Sequence, residues 1–340
     1  MHLFLSNALL ALKQVVMLYL IAGLGIAAER LRWFPESTAR LCTKLLMFAI
    51  TPCVVLRSFF EMENTPEALR GLAISFACGV LMHVTGIALS EPFFRGRKSP
   101  ETDSVLHYAA IYGNCGYMAL PLAQAMVGSQ GVFYCSIVIL TFQLFCFTHG
   151  EFVMAGGVVR RRAASVSSGA AEKKQENLPL APDAPPLPPL WRRLVINAGV
   201  LSVAVGLPLF LLRVPVPALL QQPISSVASM NSPLAMIMFG AYLSRTQFSS
   251  ILRSKKLILA TGLKLLAVPA VVMGALLSFG VRGPLLHALL ISASAPSANN
   301  TVIFAARHGR DAGYAAQVVG LISMLSIVTM PLLIAVGLSM

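Results

Sequence analysis

Ten long apolar stretches, separated by short polar or basic segments, make up most of the chain: residues 5–28, 39–60, 68–90, 104–127, 130–155, 193–213, 218–243, 256–280, 284–306 and 312–338. Each is close to the roughly 20 mainly apolar residues that a helix needs to cross about 30 Å of hydrocarbon. The pattern predicts an all-α membrane protein of ten transmembrane helices. The first stretch reads as a span and not as a cleaved signal peptide. It has no basic leader, its apolar run is too long, and no clear small-residue cleavage site precedes the next loop.

One segment breaks the rhythm. Residues 156–192 open on Arg160, Arg161 and Arg162, continue through Lys173 and Lys174, and close on Pro179, Pro182, Pro185, Pro186, Pro188 and Pro189. So few apolar residues cannot form a core, and closely spaced prolines favour extended polyproline II. The segment is expected to be a disordered linker. A proline-motif ligand is the other reading, and the composition favours a spacer. The linker divides the chain into a first five-helix repeat, 1–155, and a second, 193–340. An odd number of spans per half makes the second half enter the membrane from the opposite side, so the repeat is inverted. Two parallels support it. The second span of each half carries a mid-span proline, Pro52 and Pro233, and the fourth span of each half is interrupted by Asn and Pro together.

Composition narrows the class. Hydrophobic residues make up 56% and charged residues 11%, against about a quarter charged in soluble domains. Two soluble domains, a disordered chain and a disulfide scaffold are excluded. The net charge of +13 would suit a nucleic-acid binder only if it lay on one accessible face. Here it sits in small clusters between apolar runs. Loops that follow odd-numbered spans hold 19 Lys and Arg, against four at the even loops. Cytoplasmic loops retain basic residues, so the odd loops and the linker are expected inside a bacterial inner membrane, with both termini outside.

The chemistry concentrates in the fourth and ninth spans. The fourth reads Tyr112-Gly113-Asn114-Cys115-Gly116-Tyr117-Met118-Ala119-Leu120-Pro121-Leu122. Pro121 removes one donor and its ring clashes with the carbonyl of Tyr117, while the glycines loosen the backbone. The ninth reads Ser292-Ala293-Ser294-Ala295-Pro296-Ser297-Ala298-Asn299-Asn300-Thr301. Unwound backbone survives at membrane depth only against protein or a wet cavity. Matched broken helices in two inverted halves mark a transporter's substrate site, because each break exposes a half-helix N-terminus suited to an anion. A plain proline kink with packing glycines is the alternative for either helix alone. The candidate binding residues are Gly113, Asn114, Cys115, Gly116, Pro121, Pro296, Ser297, Asn299 and Asn300.

Ionisable residues inside spans are functional candidates. Lys13 and Lys44 can snorkel to an interface. Lys264 lies deeper, where it could neutralise an anionic substrate, stabilise an unwound carbonyl or snorkel. His83 and His107 are candidates for proton coupling, although a membrane His also serves as a hydrogen-bonded packing residue. All thirteen Asp and Glu fall in loops or near span ends. That weakens carboxylate-based coupling and agrees with an anionic substrate. No cofactor or metal site is expected, and H+ or Na+ is left open as the coupling ion. The six cysteines read as small packing residues, and no hydrolase, zinc-protease or P-loop motif is present.

The run Gly113-Asn114-x-Gly116-x-x-x-Leu120-Pro121-Leu122 resembles the fourth-helix signature of the auxin efflux carrier family, which includes bacterial malate- and malonate-type permeases and plant PIN-type carriers. Ala295 to Asn300, Phe304-Ala305 and the turn Arg307-His308-Gly309-Arg310-Asp311-Ala312 resemble its ninth helix and the loop after it. Weaker matches are Thr51-Pro52, Ser232-Pro233-Leu234 with Gly240, and Leu265 to Pro269. The resemblance implies a ten-helix inverted-repeat fold related to bile-acid sodium symporters. Helices 1, 2, 6 and 7 would form a scaffold, and helices 3–5 and 8–10 a transport domain that moves as an elevator. It also implies that helices 4 and 9 cross at their breaks, with Asn114 and Pro121 on one and Pro296 with Asn299 or Asn300 on the other. Cys115 departs from the family, where a hydroxyl residue is frequent. The expected function is secondary active or facilitative transport of a small organic anion, not an enzyme activity. The expected partners are that anion and the lipid bilayer, with a homodimer left open and no nucleic acid. A membrane-embedded ligand sensor or partner scaffold is the rival reading.

Overall fold

A computed structural model describes residues 2–33, 36–94, 100–155, 198–244 and 254–339. The linker 156–192, the repeat boundaries beside it, and the loop residues Arg95, Arg97, Lys98, Arg245 and Arg253 lie outside the described residues. Within them the chain is all-helical, with no strand beyond one isolated bridge. Seven helices are long and apolar enough to cross a membrane, and three shorter apolar helices, Cys115–Val127, Ala198–Leu211 and Gly283–Ser294, accompany them.

In chain order the helices are α1 (His2–Arg30), α2 (Glu36–Leu45), α3 (Thr51–Glu61), α4 (Pro66–Phe94), α5 (Pro100–Ile111), α6 (Leu120–Val127), α7 (Ser129–Phe145) and α8 (Glu151–Ala155). After the linker come α9 (Ala198–Leu211), α10 (Ala218–Ser229), α11 (Asn231–Ser244), α12 (Lys255–Gly262), α13 (Val268–Ser278), α14 (Gly283–Ser294), α15 (Asn300–Arg307) and α16 (Ala312–Leu338). Several neighbours run on through a single π turn: Leu46–Ile50, Cys115–Ala119, Cys146–Gly150 and Leu263–Ala267. Three of the four have one cause. Pro52, Pro121 and Pro269 each stand two residues past the π turn, so the carbonyl that the ring would strike, of Phe48, Tyr117 or Leu265, falls inside it. Widening that turn by one residue relieves the clash and absorbs the lost hydrogen bond.

Two modes of packing hold the molecule. α1 lies against α11 at glycines: a Cβ on Gly25 would run into the carbonyl of Ile237, and one on Gly240 into that of Ala22. Small residues let backbones touch in this way, and dispersion rather than hydrophobicity then holds helices together in lipid. Elsewhere the packing is aromatic and polar. Phe94, Val105–Tyr112, Val153, Met154, Leu257, Phe304 and Val318 form a separate buried cluster, drawn only from α4, α5, the α7–α8 run, the α12 run, α15 and α16 with the residues joining them. An ion pair and a histidine–carboxylate contact close its rim. Lys256 holds the buried Asp103 at 2.6 and 2.8 Å, and His308 meets Glu151 at 2.7 Å. At the opposite end, Phe133 packs edge-on to Phe59 and tilted against Phe210 with centroids 5.0 Å apart in each case, and Ser129 donates to Glu61.

Candidate functional site

The fourth and ninth apolar stretches are both broken, and the breaks meet. α5 ends at Ile111 and α14 at Ser294, and between these ends the two chains run past each other as a two-residue antiparallel ribbon, Gly113 opposite Ser297. The Asn114 amide donates to the Pro296 carbonyl at 2.7 Å, and the Ala298 amide donates to the Tyr112 carbonyl at 2.9 Å. Ser297 adds its hydroxyl to the Ala109 carbonyl at 2.6 Å. Backbone that leaves one helix without a partner thus finds it on the other chain, which is what its burial requires. Proline and glycine fit their places here. Pro296 has no donor to lose and serves only as acceptor. Gly113 has no room for a side chain, because a Cβ there would stand 2.7 Å from Lys264 Nζ and 3.3 Å from the Ala295 carbonyl oxygen.

Beyond the ribbon both chains become helical again, and these new N-termini face one cavity of about 580 Å³. Gly113, Asn114, Cys115 and Gly116 line it from one break, and Ala298, Asn299 and Asn300 from the other. Pro121, Pro296 and Ser297 do not; they shape the backbone behind the wall. Asn114 occupies the N-cap position, and its Oδ1 accepts from the Tyr117 amide at 3.0 Å. Asn299 is the corresponding residue of α15, and its side chain makes no hydrogen bond among the described residues. Asn300 directs Nδ2 toward Cys146 Sγ at 3.6 Å.

The ionisable candidates occupy other positions. Lys264 is completely buried and does not line the cavity; it lies behind Gly113. Its ammonium is enclosed and does not snorkel, whereas the side chains of Lys13 and Lys44 are exposed. His83 is buried, with Nδ1 2.6 Å from the Gly79 carbonyl and its ring stacked on Phe145 at 5.0 Å. His107 is buried 3.4 Å from Glu91, and its ring stands edge-on to His149, which is 3.0 Å from the Tyr112 hydroxyl. Neither histidine reaches the cavity.

Sequence reasoning passed over several residues of the cavity wall as site residues, Thr51, Gln143 and Arg307 among them. Thr51 comes from the α2–α3 run, Gln143 from α7, and the exposed Arg307 from the end of α15. An amide in the middle of a span is a legible signal for Gln143. Arg307 was read as a loop charge and as part of the turn after the ninth helix, and its place on the cavity wall is set by the packing of α15. No carboxylate lines the cavity among the described residues.

A family model described as membrane transport protein matches residues 10–334. The chain is also 27% identical over 120 residues to auxin efflux carrier component 3a of Oryza sativa subsp. japonica. That match takes in 34% of the chain and 19% of the relative, so the chain spans about a fifth of that protein's length.

Proposed function

The chain belongs to the membrane transport protein family, the auxin efflux carrier family, and from that premise we propose that it carries a small organic anion, a mono- or dicarboxylate, by alternating access. The observation that carries this reading is the pair of half-helix N-termini, at Asn114 and Asn299, brought to one cavity by the ribbon between Gly113 and Ser297. Each helix end carries about half a unit of positive charge. An anion is therefore attracted twice, while Arg307 adds a full charge and no acid opposes it. Favourable helix-end interactions of about 1–2 kcal/mol each leave selectivity to the side-chain amides, chiefly Asn299.

In this reading ten spans form two inverted repeats, with helices 4 and 9 crossing. The scaffold comprises the first, second, sixth and seventh spans, and the remainder moves as one body. The separate buried cluster that links α4, α5, α8, α12, α15 and α16 supports a body with its own core. With both termini outside, the wall residues beyond the crossing, such as Met47, Phe147, Gly199 and Arg307, belong to the cytoplasmic halves of their spans. The cavity then opens inward, and the cluster of Phe59, Phe133 and Phe210 closes the outer side.

Purified protein in proteoliposomes, offered radiolabelled mono- and dicarboxylates, tests the reading. Saturable uptake of at least one, abolished by Pro296→Ala, is expected. Binding without flux would transfer the cavity to a sensor, and flux confined to neutral or cationic solutes would overturn the anion assignment.

A further inference from the structure

Lys264 has no role in the cavity, and its surroundings suggest another one. Its side chain is completely buried, and Nζ has no hydrogen bond among the described residues. An ammonium enclosed without a partner is costly unless its surroundings are negative. No carboxylate accounts for it; its titratable electrostatic neighbours are the Cys115 thiol and the His83 imidazole. The π turn that carries it, Leu263–Ala267, packs on α5 and α14, the two segments that end at the crossing, and on α4 and α16. Nζ and the Ala295 carbonyl oxygen lie 2.7 and 3.3 Å from the point that a Gly113 Cβ would occupy.

The N-terminal ends of the restarted helices face the cavity. The C-terminal ends of α5 and α14 lie within two residues of Gly113 and Ala295, beside which Lys264 is enclosed. Each C-terminal end carries roughly half a unit of negative charge, so two ends together match one ammonium. In transporters built on broken helices, such C-terminal ends and unwound carbonyls coordinate the coupling cation.

We infer that Lys264 is a tethered counter-cation, covalently filling the cation position behind the crossing, so that this protein takes no monovalent metal ion there. The inference rests on the transporter reading for its bearing on coupling, but the site itself can be tested without any flux. The protein is purified in detergent, and its thermal unfolding is followed at fixed ionic strength in N-methyl-D-glucamine chloride. Exchange into sodium should leave the wild-type midpoint unchanged; a saturable rise would reveal a vacant sodium site and overturn the inference. Lys264→Ala should lower the midpoint by about 5 °C, and n-propylammonium, which restores the missing atoms, should recover it saturably where n-propanol does not. No recovery would also overturn it. Lys264→Met keeps the volume and removes the charge. It should fall below wild type and respond to no cation. A midpoint equal to or above wild type would show that the ammonium neutralises nothing. These results are independent of whether a carboxylate is moved, so failure here and failure of the transport assignment are separate events.

Discussion

The two breaks do the same topological work with different local chemistry. In the first, Asn114 caps its own half-helix through Oδ1, and a π turn driven by Pro121 follows at once. In the second, Pro296 lies before the restart, and Asn299 leaves its side chain uncommitted while α15 begins without a side-chain cap. The first asparagine spends its acceptor on structure, so the second has more to offer a ligand. A pair that looks equivalent in sequence thus divides into one side chain committed to structure and one that is uncommitted.

The most severe way to break the comparison acts on both sides at once. Gly113→Val should abolish transport, by more than about 100-fold, and lower the midpoint by several degrees, because its Cβ meets Lys264 Nζ and the Ala295 carbonyl. Gly116→Ala is the control. A Cβ there meets nothing within 4 Å, and thermal unfolding should leave it near wild type.

Asn299→Ala sharpens the contrast next. Loss of a hydrogen bond to a charged group, about 1.5–3 kcal/mol, should raise the half-saturating substrate concentration by roughly 10- to 100-fold. The midpoint should stay within about a degree of wild type. If stability falls with affinity, Asn299 is committed to structure too and the division fails.

Asn114→Ala should show the reverse weighting. Removing a cap costs about 1 kcal/mol, a fall of about 2–4 °C for a chain of this order of size. Asn114→Ser should recover most of that stability, since a hydroxyl can cap. Equal midpoints for the two variants would remove Asn114 from the capping role.

Arg307→Gln should have the smallest effect. The residue is exposed at the cavity edge, where a charge governs encounter more than retention. A decrease of a few-fold in uptake at low salt, vanishing at high salt, is expected in flux assays. An effect that persists at high salt would place Arg307 in direct contact with substrate.

Much of this was legible in the chain. The apolar runs announced a helical membrane protein, and the run from Gly113 to Pro121 with that from Ala295 to Asn300 announced both the family and the breaks. The π turns were not read from the chain, although the ring clash of Pro52, Pro121 and Pro269 behind three of them is local. Burial of Lys264 was not legible. A lysine eight residues into a span from Lys256 can snorkel or be enclosed with equal ease in sequence, and only the packing of α5 and α14 around its turn decides. Nor could Gln143 be joined to Asn299 and Arg307, because it comes from an element far from theirs in sequence.

Hydropathy, proline chemistry and glycine placement act between a residue and its near neighbours, so the sequence by itself determined that helices form, where they break and which class of protein they build. Tertiary structure alone decided that the two breaks share one ribbon, that the restarted N-termini face the cavity, and that Lys264 is enclosed beside the crossing. Those outcomes depend on which backbone carbonyls and amides satisfy each other across helices, and membrane burial leaves such groups no water to bond with instead.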